Sequence, residues 1–276
     1  MTKITKFTVD DVRFPTSKDL TGSDAIHTDP DYSATYVTVF TSDNNLKGFG
    51  IAFTIGKGND IVADCIKHFF PLFIGKTLDE LEQDIGKLWF QCVDHSQLRW
   101  LGPEKGVVHM AVAAIFNSLW DLITKKNEKP LWQFVVDSKP DTIMEWLTFK
   151  YIEDALSRDE AYKILQDSQN TKEDRIQKVL NEGYPSYTTA AGWLGYSDKK
   201  IIELCNQYIS QGWRHFKIKV GLDLEADVKR LELIRNTIGP DCSIMVDANQ
   251  QWSVKQSIEH INAYKKFNLL FVEEPT

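Results

Sequence analysis

Four short strand-like runs recur in the last third of the chain, at 187–191, 215–220, 243–247 and 269–273, each starting about one βα unit after the last. Each gap holds an amphipathic stretch with helix-end signals. Ser197 can cap a helix ending near Gly212, Asp223 one ending near Gly239, and Ser253 the one after Trp252. Regular β-α-β-α spacing calls for parallel strands with helices outside, since parallel neighbours cannot be joined by a tight turn. A doubly wound sheet and a (β/α)₈ barrel both meet that demand. A complete barrel takes about 250 residues, and residues 185–276 hold only its first four strands. The expectation for this region is the first half of a TIM-type barrel.

The chain before it follows a different grammar. Residues 4–14 and 34–41 alternate apolar and polar side chains, and Asp43-Asn44-Asn45 marks a turn into 46–55, which predicts a small antiparallel sheet. A polar loop at 17–33 is long for a simple connection and is a candidate binding loop or lid. Thr77-Leu-Asp-Glu80 reads as a capping box ahead of apolar positions 78, 81, 85, 88, 89 and 92, all on one helical face. A second helix is predicted over 104–126, with Val107, Ala111, Ala114, Ile115, Leu119 and Leu122 on its apolar side. These elements make residues 1–140 an α+β domain. Residues 141–184 form a helical connector, helical at 158–167 and 172–182, before the barrel strands of 185–276.

Composition narrows the function classes. A net charge of −7 offers no basic field for nucleic acid or an anionic membrane. Cys65, Cys92, Cys205 and Cys242 are far apart in the chain, which suits buried thiols in a reducing compartment better than a disulfide or zinc framework. No run of about 18 apolar residues predicts a transmembrane helix. The N-terminus lacks a signal-peptide core and carries acids early, so a location in the cytoplasm or mitochondrion is expected. Gly48-Phe-Gly50 and Gly56-Lys-Gly58 resemble phosphate loops but match no nucleotide-binding pattern; hairpin or turn glycines are the simpler reading. His95, His109 and His215 have no metal-ligand spacing, and Trp89, Trp100, Trp120 and Trp132 are expected in the core.

The chemistry lies at the ends of the late strands. Lys217 and Lys219 are two apart in Phe-Lys-Ile-Lys-Val, so a strand puts both on one face with Ile218 opposite. Confined there, two ammonium groups would disfavour each other's charge, and a lysine discharged in that way can act as a general base. Taken alone, K-x-K is more simply two solvated lysines on an exposed face. Asp247 ends the next strand and Glu273-Glu274 the one after. Asp247 alone could be a loop cap. Together, a lysine pair and two carboxylates on consecutive strand ends equip a site to remove a proton α to a carboxylate beside Mg²⁺. That is the pattern of enolase-type enzymes.

These residues resemble a known family. K-I-K at 217–219, D-A-N-Q at 247–250 and E-E-P-T at 273–276 are similar to the enolase superfamily, within its mandelate-racemase-like branch. The helix at 113–121, followed by Lys129-Pro-Leu-Trp132, resembles that branch's N-terminal capping domain. The motifs at 27–33, 98–109, 184–189 and 193–197 resemble the L-fuconate dehydratases within it, so the resemblance runs the length of the chain. It implies that Lys219 is the proton-abstracting base and that Lys217 contacts the substrate carboxylate and tunes the base. Asp247 and Glu273 would ligate Mg²⁺, with Asn249 close to the metal or substrate. Gly22, Ser23, Asp24 and Tyr32 would lie on a loop closing over the sugar acid, and Glu274 would have a supporting role.

The family pattern also requires a third acidic ligand and an acid for the departing hydroxyl, both further along than Thr276. The expectation is therefore the N-terminal part of an acid-sugar dehydratase, inactive alone, whose full-length form assembles as a homo-oligomer. A short non-catalytic binding or regulatory product is the alternative, as is a dehydratase or racemase for another acid sugar.

Overall fold

The computed structural model describes residues 1–102 and 106–276, which form two compact units: Met1–Arg13 with Ser33–Gly183, and Phe14–Tyr32 with Tyr184–Thr276. In the first unit, β1 (Ile4–Arg13), β2 (Ser33–Thr41) and β3 (Lys47–Thr54) form an antiparallel sheet in that order. Alternation decides its faces. On β2, Ser33, Thr35, Val37, Val39 and Thr41 are buried while their neighbours are half-buried. The expected β2–β3 turn is present, with the Asp43 carboxylate accepting the Asn45 N–H at 2.9 Å.

On the buried face lie α1 (Asn59–Phe69), α2 (Leu78–Val93) and α3 (Val107–Lys126). The capping box of α2 forms as read: Thr77 Oγ1 accepts from Glu80 N, and Glu80 reaches back to Thr77 N at 2.7 Å. The start predicted for α3 at Glu104 lies outside the described residues. Among the described residues α3 alone is long and apolar enough to cross a membrane. Its Ala111, Val112, Ala114, Ile115, Leu119 and Leu122 are fully buried, so packing against the sheet and its neighbouring helices accounts for its composition. Gly48 and Gly50 are glycines of the β2–β3 hairpin, one of the two sequence readings, on its second strand and not in its turn. They lie on β3, where a Cβ would collide with the carbonyl oxygens of Ser118 and Ala114, so they let α3 lie flat on the strand. Trp89 and Trp120 pack against the core as expected. Trp100 and Trp132 do not, at 73% and 38% exposed; hydrophobic identity alone does not fix which aromatic finds a partner. The short α4 (Leu131–Asp137) and α5 (Pro140–Trp146) precede α6 (Arg158–Ser168) and α7 (Lys172–Glu182), the latter two matching the helices expected in the connector.

The second unit holds β4 (His215–Lys219), β5 (Ser243–Asp247) and β6 (Leu269–Glu273), parallel and in chain order, with α8 (Asp198–Ser210), α9 (Leu224–Ile238) and α10 (Val254–Tyr264) between them. Ser197, Asp223 and Ser253 cap these helices as read. Phe216, Ile218, Val220, Ile244 and Val246 make the core under the helices with Leu231, Ile234 and Tyr264. The strand expected at 187–191 is reduced to one parallel bridge, Thr188 to Phe216. The chain turns there, Gly192 N donating to Thr189 O, and brings Gly192 so close to Lys217 O and Ile218 that a side chain would not fit. Residues 14–32 pack in this unit: Ser23 O accepts Leu194 N, Ser23 Oγ accepts Gly195 N at 2.9 Å, and Thr21 Oγ1 meets Tyr196 Oη at 2.7 Å.

Candidate active site

The parallel register sets Lys219 opposite Asp247, and Asp247 opposite Glu273, at the C-terminal ends of three adjacent strands. Alternation puts Phe216 and Ile218 into the helix-side core and both lysines on the other face. There they meet the carboxylates. Lys219 Nζ donates to Asp247 Oδ2 and to Asn249 Oδ1, each at 2.7 Å. Lys217 Nζ donates to Glu273 Oε2 at 2.7 Å and lies 3.3 Å from Asp247 Oδ2, so one ammonium spans both carboxylates. Lys217, Lys219 and Asp247 are buried, while the Glu273 side chain is 35% exposed and opens one side of the cluster.

This arrangement changes the expected electrostatics. Burial pushes Lys217 toward the neutral amine, but the hydrogen bonds to Glu273 and Tyr187 and the charges of Asp247 and Glu273 outweigh it, holding the ammonium well above the ordinary lysine range. Burial likewise pushes the Asp247 carboxyl up. The Lys219 hydrogen bond, the Asn249 N–H and the two lysine charges overcome that and hold it below the carboxylate range. The like-charge discharge expected from spacing does not hold for Lys217, whose ammonium faces two carboxylates. The carboxylates enter from strands distant in sequence, so K-x-K alone could not show them.

Backbone strain gathers at the same rim. Asn249, Gln250 and Glu274 have φ of 49°, 62° and 44°, left-handed values that cost a non-glycine residue about 1–3 kcal/mol and persist only where the surroundings impose them. Gln250 N donates to Glu274 O at 2.8 Å, and Asn249 N to Asp247 Oδ1 at 3.0 Å. Asp247 thus also caps its loop, which makes the two sequence readings of this residue compatible. Glu274 contributes its backbone to the rim.

Two aromatic rings that carry no expected role complete the wall. The Tyr187 ring lies 5.0 Å from Lys217 Nζ and the Trp193 ring 5.8 Å from Lys219 Nζ, both within cation–π range. Trp193 is fixed through its backbone, where the Arg230 guanidinium donates to Trp193 O. Its ring meets Tyr32 edge-on, centroids 6.3 Å apart. Their place inside two resemblance motifs, at 184–189 and 193–197, was the available signal.

Of the loop residues expected at the site, Tyr32 is linked to the lysines through Trp193. Burial and nearby Asp24 push its phenol up. Gly22 (φ 87°) makes room for the Tyr32 ring, against which a Cβ would collide. Ser23 Oγ donates to Leu20 O besides accepting Gly195 N, and Asp24 Oδ1 accepts Ile26 N and His27 N. Both side chains therefore hold the loop's own shape. Behind β4, the Asp227 carboxylate accepts Gly221 N at 2.8 Å and the Tyr264 hydroxyl at 3.0 Å, fixing the turn that follows the lysine strand.

For a divalent cation, the donors offered are hard oxygens: Asp247, Glu273 and the Asn249 amide oxygen. The Lys217 ammonium bridging the two carboxylates shows that a cation fits between them. Among the described residues no group of three or more His, Cys, Asp or Glu gathers around one point, so these residues offer two carboxylates and leave further positions to water or substrate.

The chain has relatives among known proteins. Residues 21–135 match the mandelate racemase / muconate lactonizing enzyme N-terminal domain, and residues 200–276 match the enolase C-terminal domain-like family. The chain is 47% identical over 99% of its length to mitochondrial enolase superfamily member 1 of Xenopus laevis, covering 62% of that protein. It is 45% identical to L-galactonate dehydratase of Hypocrea jecorina, covering 99% of this chain and 61% of that one. The crystal structure of human mitochondrial enolase superfamily member 1 superposes with a TM-score of 0.94 at 44% identity, over 99% of this chain and 62% of the other. A racemase from Streptomyces coelicolor A3(2), solved with bound magnesium, shares the fold at 24% identity and a TM-score of 0.70, over 99% and 62% of the two chains. The chain thus spans less than two thirds of the length of these relatives.

Proposed function

The chain belongs to the enolase superfamily, and from that premise we propose that it carries the proton-abstracting part of an acid-sugar dehydratase site. The observation that carries this reading is the level arrangement of Lys219, Asp247 and Glu273 on three adjacent parallel strand ends, with Lys217 beside them. Residues 1–140 act as the capping domain, 141–184 as the connector, and 185–276 as the first strands of the barrel.

Lys219 is the base that takes the α-proton of the sugar acid. Asn249 Oδ1, accepting a hydrogen bond from its Nζ, orients that nitrogen. Lys217 directs its charge to the substrate carboxylate, exchanging Glu273 for it. Asp247 and Glu273 would hold Mg²⁺. When bound there, the ion would stabilise the negative charge that develops on the carboxylate oxygens as the proton leaves. Loss of the α-proton and of the β-hydroxyl as water gives a 2-keto-3-deoxy acid; protonation of the leaving hydroxyl is assigned to no described residue. Tyr32 faces the substrate, while Gly22, Ser23 and Asp24 shape the loop that brings it there.

The substrate we assign is L-fuconate, with 2-keto-3-deoxy-L-fuconate as product. L-Fuconate is the 6-deoxy form of L-galactonate, so a relative named for L-galactonate supports the same configuration at the reacting carbons. The test is incubation with each acid and Mg²⁺ in D₂O, following the C2 proton by NMR and the keto acid by semicarbazone formation. C2 exchange from L-fuconate, with or without keto acid, supports the assignment; exchange from L-galactonate alone, or from neither acid, refutes it.

A further inference from the structure

The loop at 248–252 is strained where it matters most. Asn249, whose Oδ1 accepts from Lys219 Nζ, has φ of 49°, and Gln250 after it has φ of 62°. Non-glycine backbone keeps such values only where its neighbours impose them. Two supports of this loop lead to the same place in the fold.

The first support is the turn after β4. Gly221, with φ of 125°, lies so close to the loop that a Cβ there would be 3.3 Å from Ala248 O and 3.4 Å from the Gln251 Cβ. Its N–H donates to the buried Asp227 carboxylate at 2.8 Å. The second support is Trp252, at the other end of the loop. Its buried ring packs on His260, centroids 4.4 Å apart, and on Tyr264 at 6.2 Å. The Tyr264 hydroxyl joins the two supports. It donates to Asp227 Oδ2 at 3.0 Å and lies 3.2 Å from His260 Nδ1. A hydroxyl has one proton, so with that proton given to Asp227 the His260 bond takes a proton on Nδ1. The chain His260–Tyr264–Asp227 thus ties α10 to α9, and its two ends bear on opposite ends of the strained loop. Hydrogen bonds among buried groups hold position firmly, because a buried partner left without its bond is costly.

We propose that Tyr264, with Asp227 and His260, is a positioning residue for Asn249. The three hold loop 248–252 in the conformation that presents the Asn249 amide oxygen to Lys219. Tyr264 belongs to the helix-side core, away from the face that carries the lysines, so it acts through the loop and not on substrate. This role rests on the reading of Lys219 as the base and adds what keeps its hydrogen-bond partner in place.

Tyr264→Phe removes only the hydroxyl. With L-fuconate and Mg²⁺ in D₂O, kcat for C2 exchange should fall about fivefold, the size of one hydrogen bond, with KM little changed. Added to Asn249→Ala, it should cost nothing further, since the two residues act in series. Losses that simply add would overturn the proposal. Amide hydrogen exchange of the full chain needs no activity and separates this role from the base assignment. Tyr264→Phe should speed exchange at 248–252 at least about fivefold and leave 244–246 on β5 unchanged. Exchange unchanged at 248–252, or raised evenly over the second unit, overturns the proposal. Should that variant fail to fold, His260→Phe decides, because it keeps a ring on Trp252 and removes Nδ1. The same segment should loosen in it, and no loosening counts against the proposal. Loosening at 248–252 in a chain whose parent exchanges no C2 proton would uphold the loop support and fault the base assignment instead.

Discussion

Lys217 Nζ lies 2.7 Å from Glu273 Oε2 and 3.3 Å from Asp247 Oδ2, so a side chain of β4 reaches the carboxylate of its neighbour β5 and that of β6 beyond it. A cation between two carboxylates is the relationship a divalent ion would also occupy, and each group's charge is set by the others. Replacing one member therefore changes the whole cluster.

Replacing the base isolates its role. Lys219→Ala should reduce C2 proton exchange in D₂O by at least about 10²-fold, the lower end of general-base contributions, with substrate still binding. Lys217→Ala should act mainly on substrate affinity. Exchange at the parental rate in Lys219→Ala would remove this residue from the role.

Magnesium should stabilise the second unit by mass action. Thermal melting with increasing Mg²⁺ should show a concentration-dependent rise in Tm. Asp247→Asn should abolish that rise and Glu273→Gln should diminish it. A rise of equal size in both variants would place the ion elsewhere.

Trp193 and Tyr32 separate packing from contact. Trp193→Ala removes the ring 5.8 Å from the Lys219 ammonium and the edge-on partner of Tyr32. It should lower kcat/KM by roughly fivefold, in line with about 1 kcal/mol for a cation–π contact. Tyr32→Phe keeps the ring pair. If the hydroxyl meets substrate, KM should rise in that variant as well; unchanged kinetics would confine Tyr32 to packing.

Asp227 gives a pH signature. Burial raises its carboxyl above the ordinary value despite the hydrogen bonds from Gly221 and Tyr264. The folded state therefore binds the proton more tightly than the unfolded one. The group's contribution to stability is full below the unfolded value of about 4 and is lost as pH climbs through the higher folded value. Asp227→Asn, which keeps an acceptor for Gly221 N, should flatten this part of the Tm–pH curve. A curve of unchanged slope would show that other groups set it.

Gly50 tests the packing of α3 on β3. Gly50→Ala drives a Cβ into Ala114 O and should destabilise the first unit by about 1–3 kcal/mol, as overpacking does. Urea unfolding measures this, and a neutral result would mean that α3 can shift without loss.

Much of this fold is written locally. The capping box at Thr77–Glu80 and the caps Ser197, Asp223 and Ser253 were legible because a helix start is decided within four residues. The period of two placed Lys217 and Lys219 on one face for the same reason, and the order of lysine strand, aspartate strand and glutamate strand marked the candidate site. Tertiary structure decided what those side chains meet. The strand expected at 187–191 became a single bridge because the backbone turns at Gly192, against Lys217 O. Gly48 and Gly50 proved to be a seat for a helix, and Trp100 stayed exposed where Trp120 found partners. Whether the lysines repel or pair depends on carboxylates 28 and 56 positions away brought to within 3 Å, and the rings that face them come from a separate segment, 5.0 and 5.8 Å from the nitrogens. Local sequence carries capping and alternation, since those interactions are made within one element. Charge state and close packing belong to contacts between elements, and only the folded chain supplies them.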